Sequence, residues 1–266
     1  MLMGYFVAHL TACNHTPDSQ EPTTLPPKLN TVLKDSIPLS LQKLAAAYPE
    51  HKFELTSNSL IWEDGTEMIY QDSIASKSFE MLLNQPDLED QMSMSYPKGK
   101  DYPIPSRNSD PGRIRFEPFF LKMYGASKDI VQKKLVSIDF LGQTLKVTTV
   151  NDIDKKLSQI AQELAQLPDL KPYLKNVGGT FNWRKIAGTD RMSTHSFGMT
   201  IDINVKYANY WRWAVADKTE DGKRLIQYKN RVPMELVEIF EKHGFIWGGK
   251  WYHYDTMHFE YRPELL

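Results

Sequence analysis

The sequence predicts an α+β fold, in which a small antiparallel sheet is flanked by helices. Segments 199–205 and 257–261 alternate apolar and polar residues, as half-buried strands do, and segment 137–150 reads as two strands around a turn. Segment 153–167 instead repeats apolar residues at helical spacing. Strands and helices are therefore expected in the same part of the chain.

Turn and cap residues set the limits of these elements. Leu141-Gly142 is expected to turn the chain between the two strands of 137–150. Asn151 or Asp152 is placed to cap the helix that follows, and Pro168 marks its end. A second helix is predicted from Pro233 to about His243, with Gly244 as its C-terminal stop.

We divide the chain of 266 residues into three parts: a signal-like segment with a flexible tether (1–27), an accessory region (28–130) and a compact α+β domain (131–266). The accessory region holds no chemical motif that we can interpret. Its predicted elements are a short helix at 39–47, a hairpin at 60–70 that turns at Asp64-Gly65, and a polar loop at 90–112.

The first 27 residues have the composition of a signal followed by a flexible tether. Leu10-Thr11-Ala12-Cys13 resembles a bacterial lipobox, in which the signal is cut before a cysteine that is then acylated. The stretch from Asn14 to Pro27 is polar and rich in proline, so we expect it to remain unfolded. The sequence predicts a cell-envelope protein, periplasmic or anchored to the membrane through Cys13. The other interpretation is an incidental cysteine in an unfolded N-terminus.

Composition argues against two other classes of protein. The formal net charge is −1, which gives no electrostatic reason to expect nucleic acid as a partner. No apolar run approaches the roughly 20 residues that a bilayer-spanning helix needs. Cys13 is the only cysteine, so no disulfide can form within the chain.

Two clusters of histidine and carboxylate residues stand on predicted strands. His195 precedes the strand that carries Asp202, and Gly198 lets the backbone turn between them. His258 and Glu260 alternate with apolar residues on a later strand. A single histidine before a strand is more often structural, but two histidines and an aspartate together are a plausible catalytic zinc set.

Three protein ligands leave the fourth tetrahedral position of one zinc ion per chain for water. A carboxylate that is not a ligand must then take a proton from that water, and Asp255, three residues before His258, is placed for this role. A D-x-x-H tetrad alone is a weak signal, so the prediction depends on the combination of both clusters.

The order and spacing of these residues resemble a known family. Ser193-x-His195-x-x-Gly198-x-x-x-Asp202, then Trp247-Gly-Gly-x-Trp251 and Asp255-x-Met-His258-Phe-Glu260, are similar to the D-alanyl-D-alanine carboxypeptidase (VanY-like) zinc peptidases, a family that includes L-alanyl-D-glutamate endopeptidases. The resemblance covers roughly residues 135–266. It implies the fold shared with lysostaphin-type peptidases and the hedgehog signalling domain, and peptidoglycan peptides as substrates.

The resemblance also implies roles for particular residues. His195, Asp202 and His258 would be the zinc ligands and Asp255 the catalytic base. Arg184 looks like the family's upstream arginine, which would bind a substrate carboxylate or carbonyl and stabilise the oxyanion.

Several roles stay open on the sequence alone. Arg184 could instead form a surface salt bridge, and Arg191 is a second candidate for its role. Ser193 is expected near the substrate or the ligands. His253 is either a substrate-binding or transition-state residue or an exposed loop histidine. Glu260 could orient the His258 ring.

Trp247 and Trp251 line the substrate groove or pack in the core. The bond that is cut also stays open: a carboxypeptidase is expected, with an L,D- or D,D-endopeptidase of the same family as the alternative, since aspartate at position 255 looks more like the endopeptidase branch. A wall-binding module that keeps zinc without cutting, or a zinc amidohydrolase acting on another amide, would share the same residues.

Overall fold

The computed structural model describes residues 36–215 and 225–266, which have the predicted α+β fold. The predicted lipobox and tether lie outside the described residues. Within the described residues, no helix combines the length and hydrophobicity that crossing a bilayer requires.

The helices are α1 (Leu39–Ala46), α2 (Phe79–Asn84), α3 (Leu88–Met92), α4 (Glu117–Tyr124), α5 (Lys128–Gln132), α6 (Ile153–Ala165), α7 (Lys171–Leu174), α8 (Trp211–Ala214) and α9 (Met234–Lys242). The strands are β1 (Phe53–Leu55), β2 (Ser59–Trp62), β3 (Glu67–Ile69), β4 (Leu135–Phe140), β5 (Gln143–Thr148), β6 (Val177–Gly179), β7 (Thr200–Asn204), β8 (Phe245–Trp247) and β9 (His258–Tyr261).

Both predicted hairpins form. In the first, β2 pairs antiparallel with β3 across a turn in which Gly65 has φ of +83°. In the second, β4 pairs antiparallel with β5, and Leu141 and Gly142 both have positive φ at the turn. Positive φ at two consecutive turn positions matches the right-handed twist of the flanking strands, which is why a two-residue connection suffices.

The sheet that positions the site has the strand order β6-β7-β9-β8, and all its neighbours are antiparallel. Alternation buries Ile201 and Ile203 of β7 on one face and leaves Asp202 on the other. The amphipathic helix α9 packs on β8, and the amphipathic helix α6 packs on β4, β5 and α9. A four-stranded antiparallel sheet with packed helices confirms the predicted fold class.

Two details differ from the sequence-based expectation. Neither Asn151 nor Asp152 caps α6 with its side chain, because the Asn151 amide is occupied by Tyr124 and His51 in the core. The predicted loop at 90–112 also starts too early, since α3 extends to Met92. A capping box between Asp87 and Asp90 begins that short helix, a signal that hydrophobic periodicity does not detect.

The accessory region and the domain that follows it share one hydrophobic core. The described residues, 36–215 and 225–266, belong to a single compact unit. The Tyr48 ring meets Tyr261 edge-on at 6.4 Å, and the Phe120 ring stacks on Phe197 at 6.3 Å. The core is therefore continuous across residue 130, where we place a boundary in the sequence.

Candidate metal centre and active site

Strand register brings the two halves of the predicted metal set together. Asp202 of β7 lies directly opposite His258 of β9, and Thr200 lies opposite Glu260. Residues directly opposite each other in an antiparallel pair point to the same face of the sheet. The carboxylate and the imidazole are therefore adjacent although 56 positions separate them, and His258 Nδ1 lies 3.0 Å from Asp202 Oδ1.

A short 3-10 helix, Thr194–Phe197, presents His195 to the same carboxylate. Gly198 ends this helix with φ of +67°, and a Cβ there would lie 2.7 Å from the Leu135 side chain, so only glycine fits. His195 Nδ1 is 3.0 Å from the Thr180 carbonyl oxygen, which accepts its proton. That contact leaves Nε2 directed at Asp202 Oδ2, 3.2 Å away.

The three side chains fit a zinc ion. Their ligand atoms all lie within 4.8 Å of one another. Neighbouring ligand atoms of tetrahedral zinc are about 3.4 Å apart, given bonds of about 2.1 Å. Each imidazole also has its other nitrogen held, His195 by Thr180 and His258 by Glu260 Oε2 at 3.1 Å. Such partners fix the orientation of metal-binding histidines.

The electrostatics of this group raise the pKa of His258 and lower the pKa of Asp202. Burial alone would lower the pKa of His258, but hydrogen bonds to Asp202 and Glu260 raise it to about 10. Burial likewise works against ionisation of Asp202, and the two histidines outweigh it and lower its pKa. The carboxylate is therefore ionised at neutral pH, as a metal ligand must be.

Asp255 lines the same cavity. Its backbone N–H donates to the Gly248 carbonyl at 2.9 Å, and a Cβ on Gly248 would lie 2.6 Å from the Asp255 carbonyl oxygen. Its Oδ1 is buried and has no hydrogen-bond partner among the described residues. Burial, and then the negative charge of Asp202, raise the pKa of Asp255 to about 7. A carboxyl with such a pKa is poised to exchange a proton near neutral pH.

The cavity over these residues has a volume of about 180 Å³ and is lined by both predicted and unpredicted side chains. Arg184 and Ser193 lie on its wall. The Arg184 side chain is exposed. The Arg184 backbone N–H donates to the Ser196 hydroxyl at 2.9 Å, which holds Arg184 against the segment that carries His195. Arg191 instead lines an adjoining cavity of about 820 Å³.

The structure places Trp247 in the core and Trp251 and His253 on the cavity wall. Trp247 is fully buried and its indole donates to the Thr256 carbonyl at 2.9 Å, so it belongs to the core. Trp251 and His253 line the cavity wall. His253 is buried beside Asp110, so it is not an exposed loop histidine.

Sequence analysis missed several residues of the cavity wall. Arg113 and Arg115 come from the accessory region, and Tyr210, Trp211 and Arg212 come from the segment after β7. Arg113 and Arg115 alternate with Ile114 and Phe116 just after the predicted polar loop, but no motif marks them as site residues. Only the packing of the accessory region against the sheet brings them to the site.

A buried chain of charges links the site to the accessory region. Glu260 Oε1 accepts from Arg262 at 3.0 Å, and Arg262 Nε donates to Glu264 at 2.5 Å. The Tyr48 hydroxyl then donates to the other oxygen of Glu264 at 2.6 Å. Burial would raise the pKa of Glu260, but His258, Arg115 and Arg262 hold it at about 2. The carboxylate that orients His258 is therefore kept ionised.

This fold and site define a class of protein: an α+β protein whose antiparallel sheet carries a His-Asp-His group beside a buried carboxyl, Asp255, whose Oδ1 has no partner among the described residues. Residues 187–261 match the family model described as D-alanyl-D-alanine carboxypeptidase. The match is narrower than the resemblance that we drew over residues 135–266, but it includes His195, Asp202, Asp255 and His258. Over this segment the predicted resemblance to a peptidase family is confirmed. No curated protein and no solved structure matches the chain significantly.

Proposed function

We propose that this chain is a zinc-dependent peptidase that hydrolyses peptide bonds in peptidoglycan stem peptides, with D-alanyl-D-alanine carboxypeptidase activity. The observation that carries the proposal is the convergence of the His195, Asp202 and His258 ligand atoms within 4.8 Å, in one cavity with Asp255. The family match of residues 187–261 supports the same class of reaction.

When bound, a zinc ion would act as a Lewis acid toward water and toward the scissile carbonyl. His195 Nε2, an Asp202 oxygen and His258 Nδ1 would hold the ion, because their second contacts aim these atoms at one point. The Asp255 carboxylate takes the proton from the attacking water and returns it to the leaving amine. Its buried Oδ1 has no competing hydrogen bond among the described residues, which leaves it available for that transfer.

Arg184 would supply positive charge on the wall of the same cavity. Its guanidinium makes one long contact, 3.4 Å to the Lys185 carbonyl, and no described carboxylate pairs with it. A guanidinium in this position can bind a substrate carboxylate or the developing oxyanion, and such stabilisation is commonly the largest single contribution to catalysis.

A non-catalytic wall-binding module is the rival function. A zinc ion that only holds structure closes its coordination with protein ligands and has no use for a free carboxylate nearby. The buried Asp255 carboxyl beside the ligand group therefore favours an enzyme. Within the enzyme class, an endopeptidase is the alternative, because the aspartate at position 255 resembles the endopeptidase branch of the family.

We propose the cell envelope as the location, with Cys13 as a lipid anchor, because peptidoglycan lies there and the sequence before the tether resembles a lipobox. Metabolic labelling with a fatty-acid analogue checks the anchor. Label on the natural chain that disappears in Cys13→Ala supports it, and an unlabelled chain contradicts it.

The test of activity compares metal-free and zinc-reloaded protein on purified peptidoglycan. We expect new amino or carboxyl termini to appear only with the zinc-loaded chain, and to be absent for Asp255→Ala loaded with the same metal. Equal amounts of product from the metal-free protein would contradict the proposal.

A further inference from the structure

Among the described residues, four arginines line the candidate active-site cavity: Arg113, Arg115, Arg184 and Arg212. Arg113 donates to the buried carboxylate of Asp110 at 2.6 Å, and Arg115 Nη2 donates to the Met192 carbonyl at 3.2 Å. Arg184 makes one long contact, to the Lys185 carbonyl. Arg212 differs from all three, because no hydrogen bond joins its guanidinium to a described residue.

The Arg212 guanidinium is nevertheless held in place. It lies over the Trp211 ring, with Cζ 5.2 Å from the ring centroid. Contact with an aromatic face fixes a guanidinium without using its N–H donors. Its Nε is buried and has no hydrogen-bond partner among the described residues, and no carboxylate in 36–215 or 225–266 pairs with it. The cavity wall therefore carries a positive charge that no described carboxylate neutralises.

The segment that carries Arg212 is joined to the segment that carries the proposed base. Tyr210 and Asp255 form an isolated antiparallel bridge, and the Trp211 N–H donates to the Tyr254 carbonyl at 2.9 Å. Burial raises the pKa of Tyr210, and then the charge of Arg212 lowers it while the charge of Asp255 raises it. Arg212 and Asp255 therefore lie on neighbouring segments of one cavity wall.

This placement matters for the group that leaves in the proposed reaction. Asp255 returns a proton to the leaving amine, so the residue that bears this amine must lie close to Asp255. When the terminal peptide bond is cut, one carbon separates that amine from a free carboxylate. A cation beside the base is well placed to bind this carboxylate. Arg184, held against the segment of His195, is then available for the oxyanion.

We propose that Arg212 is a specificity-determining residue, which binds a free carboxylate on the carbon that bears the leaving amine. The C-terminal residue of a stem peptide offers such a carboxylate. The stem glutamate offers another, because it is linked onward through its side chain and keeps its α-carboxylate. A guanidinium binds a carboxylate through two parallel hydrogen bonds. The inference rests on the proposed peptidase function and names the group that the substrate must carry.

The experiment compares acid and amide forms of two peptides on the zinc-loaded full chain. One is a stem pentapeptide with a C-terminal carboxylate or amide, and the other is a stem peptide with D-glutamate or its α-amide. For the bond that is cut, we expect the unmodified chain to prefer the acid about 10–100-fold in kcat/KM, the range for a hydrogen-bonded charge pair. The pair that shows the preference identifies the source of the carboxylate.

Arg212→Gln should lower kcat/KM for the acid by the same factor and leave kcat/KM for the amide nearly unchanged. Equal cleavage of acid and amide by the unmodified chain would overturn the proposal. So would a preference for the acid that survives Arg212→Gln. If Arg212 only packs on Trp211, its loss lowers cleavage of both forms alike, and that result also overturns the proposal.

Two further variants separate Arg212 from other arginines. Arg231→Gln is the matched control, because Arg231 donates to the Lys206 and Ala208 carbonyls and does not line the cavity. It should keep both the rate and the preference for the acid. Arg184→Ala should slow cleavage of acid and amide by the same factor. Loss of the preference in either variant would contradict the role of Arg212.

A binding measurement does not depend on turnover. Zinc-loaded Asp255→Ala leaves the peptides uncut, so calorimetric titration can compare the affinities of acid and amide. We expect tighter binding of the acid, and equal binding of both forms once Arg212→Gln is added. Equal binding before that change would overturn the inference. Arg212-dependent binding of the acid by a chain that, unmodified, cuts no wall peptide would contradict the peptidase function alone.

Discussion

His258 Nε2 lies 3.1 Å from Glu260 Oε2, two residues further along the same face of β9. Glu260 is fully buried and is held in turn by Arg262. The contact directs the other ring nitrogen, Nδ1, at Asp202 and the point where a metal would lie.

Loss of the Glu260 carboxylate should weaken zinc binding. We expect Glu260→Gln to reduce zinc affinity about 10–100-fold, because the carboxylate fixes the His258 ring and increases its basicity. Competition with a chromophoric chelator measures the affinity. Glu63→Gln on the exposed β2–β3 turn is the control and should bind zinc as the unmodified chain does. Equal affinity for both variants would show that Glu260 does not support the metal.

Stability should depend on pH through the same carboxylate. The pKa of Glu260 is about 2 in the folded chain, against about 4.3 for an unperturbed glutamate, so the unfolded chain binds the proton first. Its contribution to the free energy of unfolding is therefore present above about pH 4.3 and is lost as the pH falls toward 2.

Denaturant unfolding with a chelator present tests this prediction without any contribution from metal. The difference in free energy of unfolding between the unmodified chain and Glu260→Gln should shrink as the pH falls from 5 to 3. A difference that stays constant over this range would contradict the assignment of an ionised, stabilising Glu260.

Substitution of the proposed base and of a ligand should have separable effects. Asp255→Ala should lower kcat by about 10²–10⁴-fold, the usual contribution of general acid–base catalysis, and still bind zinc. His195→Ala should lose both zinc and activity. Atomic absorption measures the zinc content, and peptide hydrolysis measures kcat. Asp169→Ala, at an exposed position, is the control and should keep both zinc and activity. Normal turnover by Asp255→Ala would show that Asp255 is not the catalytic base.

Arg184 should contribute to turnover rather than to folding, because its side chain is exposed and makes no ion pair with a described residue. We expect Arg184→Ala to lower kcat/KM at least tenfold and to leave the melting temperature unchanged. Lys185→Ala, at the adjacent exposed position, is the matched control, since Lys185 pairs with Asp190 and does not line the cavity. Equal kcat/KM for the two variants would contradict the role of Arg184.

The Tyr48 hydroxyl should stabilise the whole unit. It is fully buried and donates to Glu264 across the junction between the accessory region and the sheet. Tyr48→Phe should lower the free energy of unfolding by about 1.5–3 kcal/mol, the range for hydrogen bonds to charged groups. Denaturant unfolding at pH 7 measures the change. No loss of stability would show that the junction is insensitive to this contact.

Local patterns were sufficient to predict the site strands and the metal set. Alternation along β7 and β9 placed Asp202 and His258 on polar faces, and the register of the two strands makes these faces one surface. The turn at Asp64-Gly65 and the helix stop at Gly244 could also be predicted, because glycine is the residue that most easily adopts the positive φ found at Gly65 and Gly244. Roles for these residues in catalysis stay predictions.

The accessory contribution could not be predicted from sequence, because it depends on contacts between distant segments. Asp110 meets His253 across 143 positions, and Tyr48 meets Glu264 across 216. Neither contact has a periodic or motif signal. The misplaced cap of α6 has the same origin, since the Asn151 side chain is recruited by the core instead of by its own helix.

The most direct test of the account is mass spectrometry of defined muropeptides, including a pentapeptide that ends in D-Ala-D-Ala, after incubation with the zinc-loaded chain with and without a chelator. The account predicts chelator-sensitive loss of one terminal alanine, whereas chelator-sensitive cleavage inside the stem would identify an endopeptidase. If no wall peptide yields a product although zinc is bound, the central claim of a peptidoglycan peptidase is contradicted.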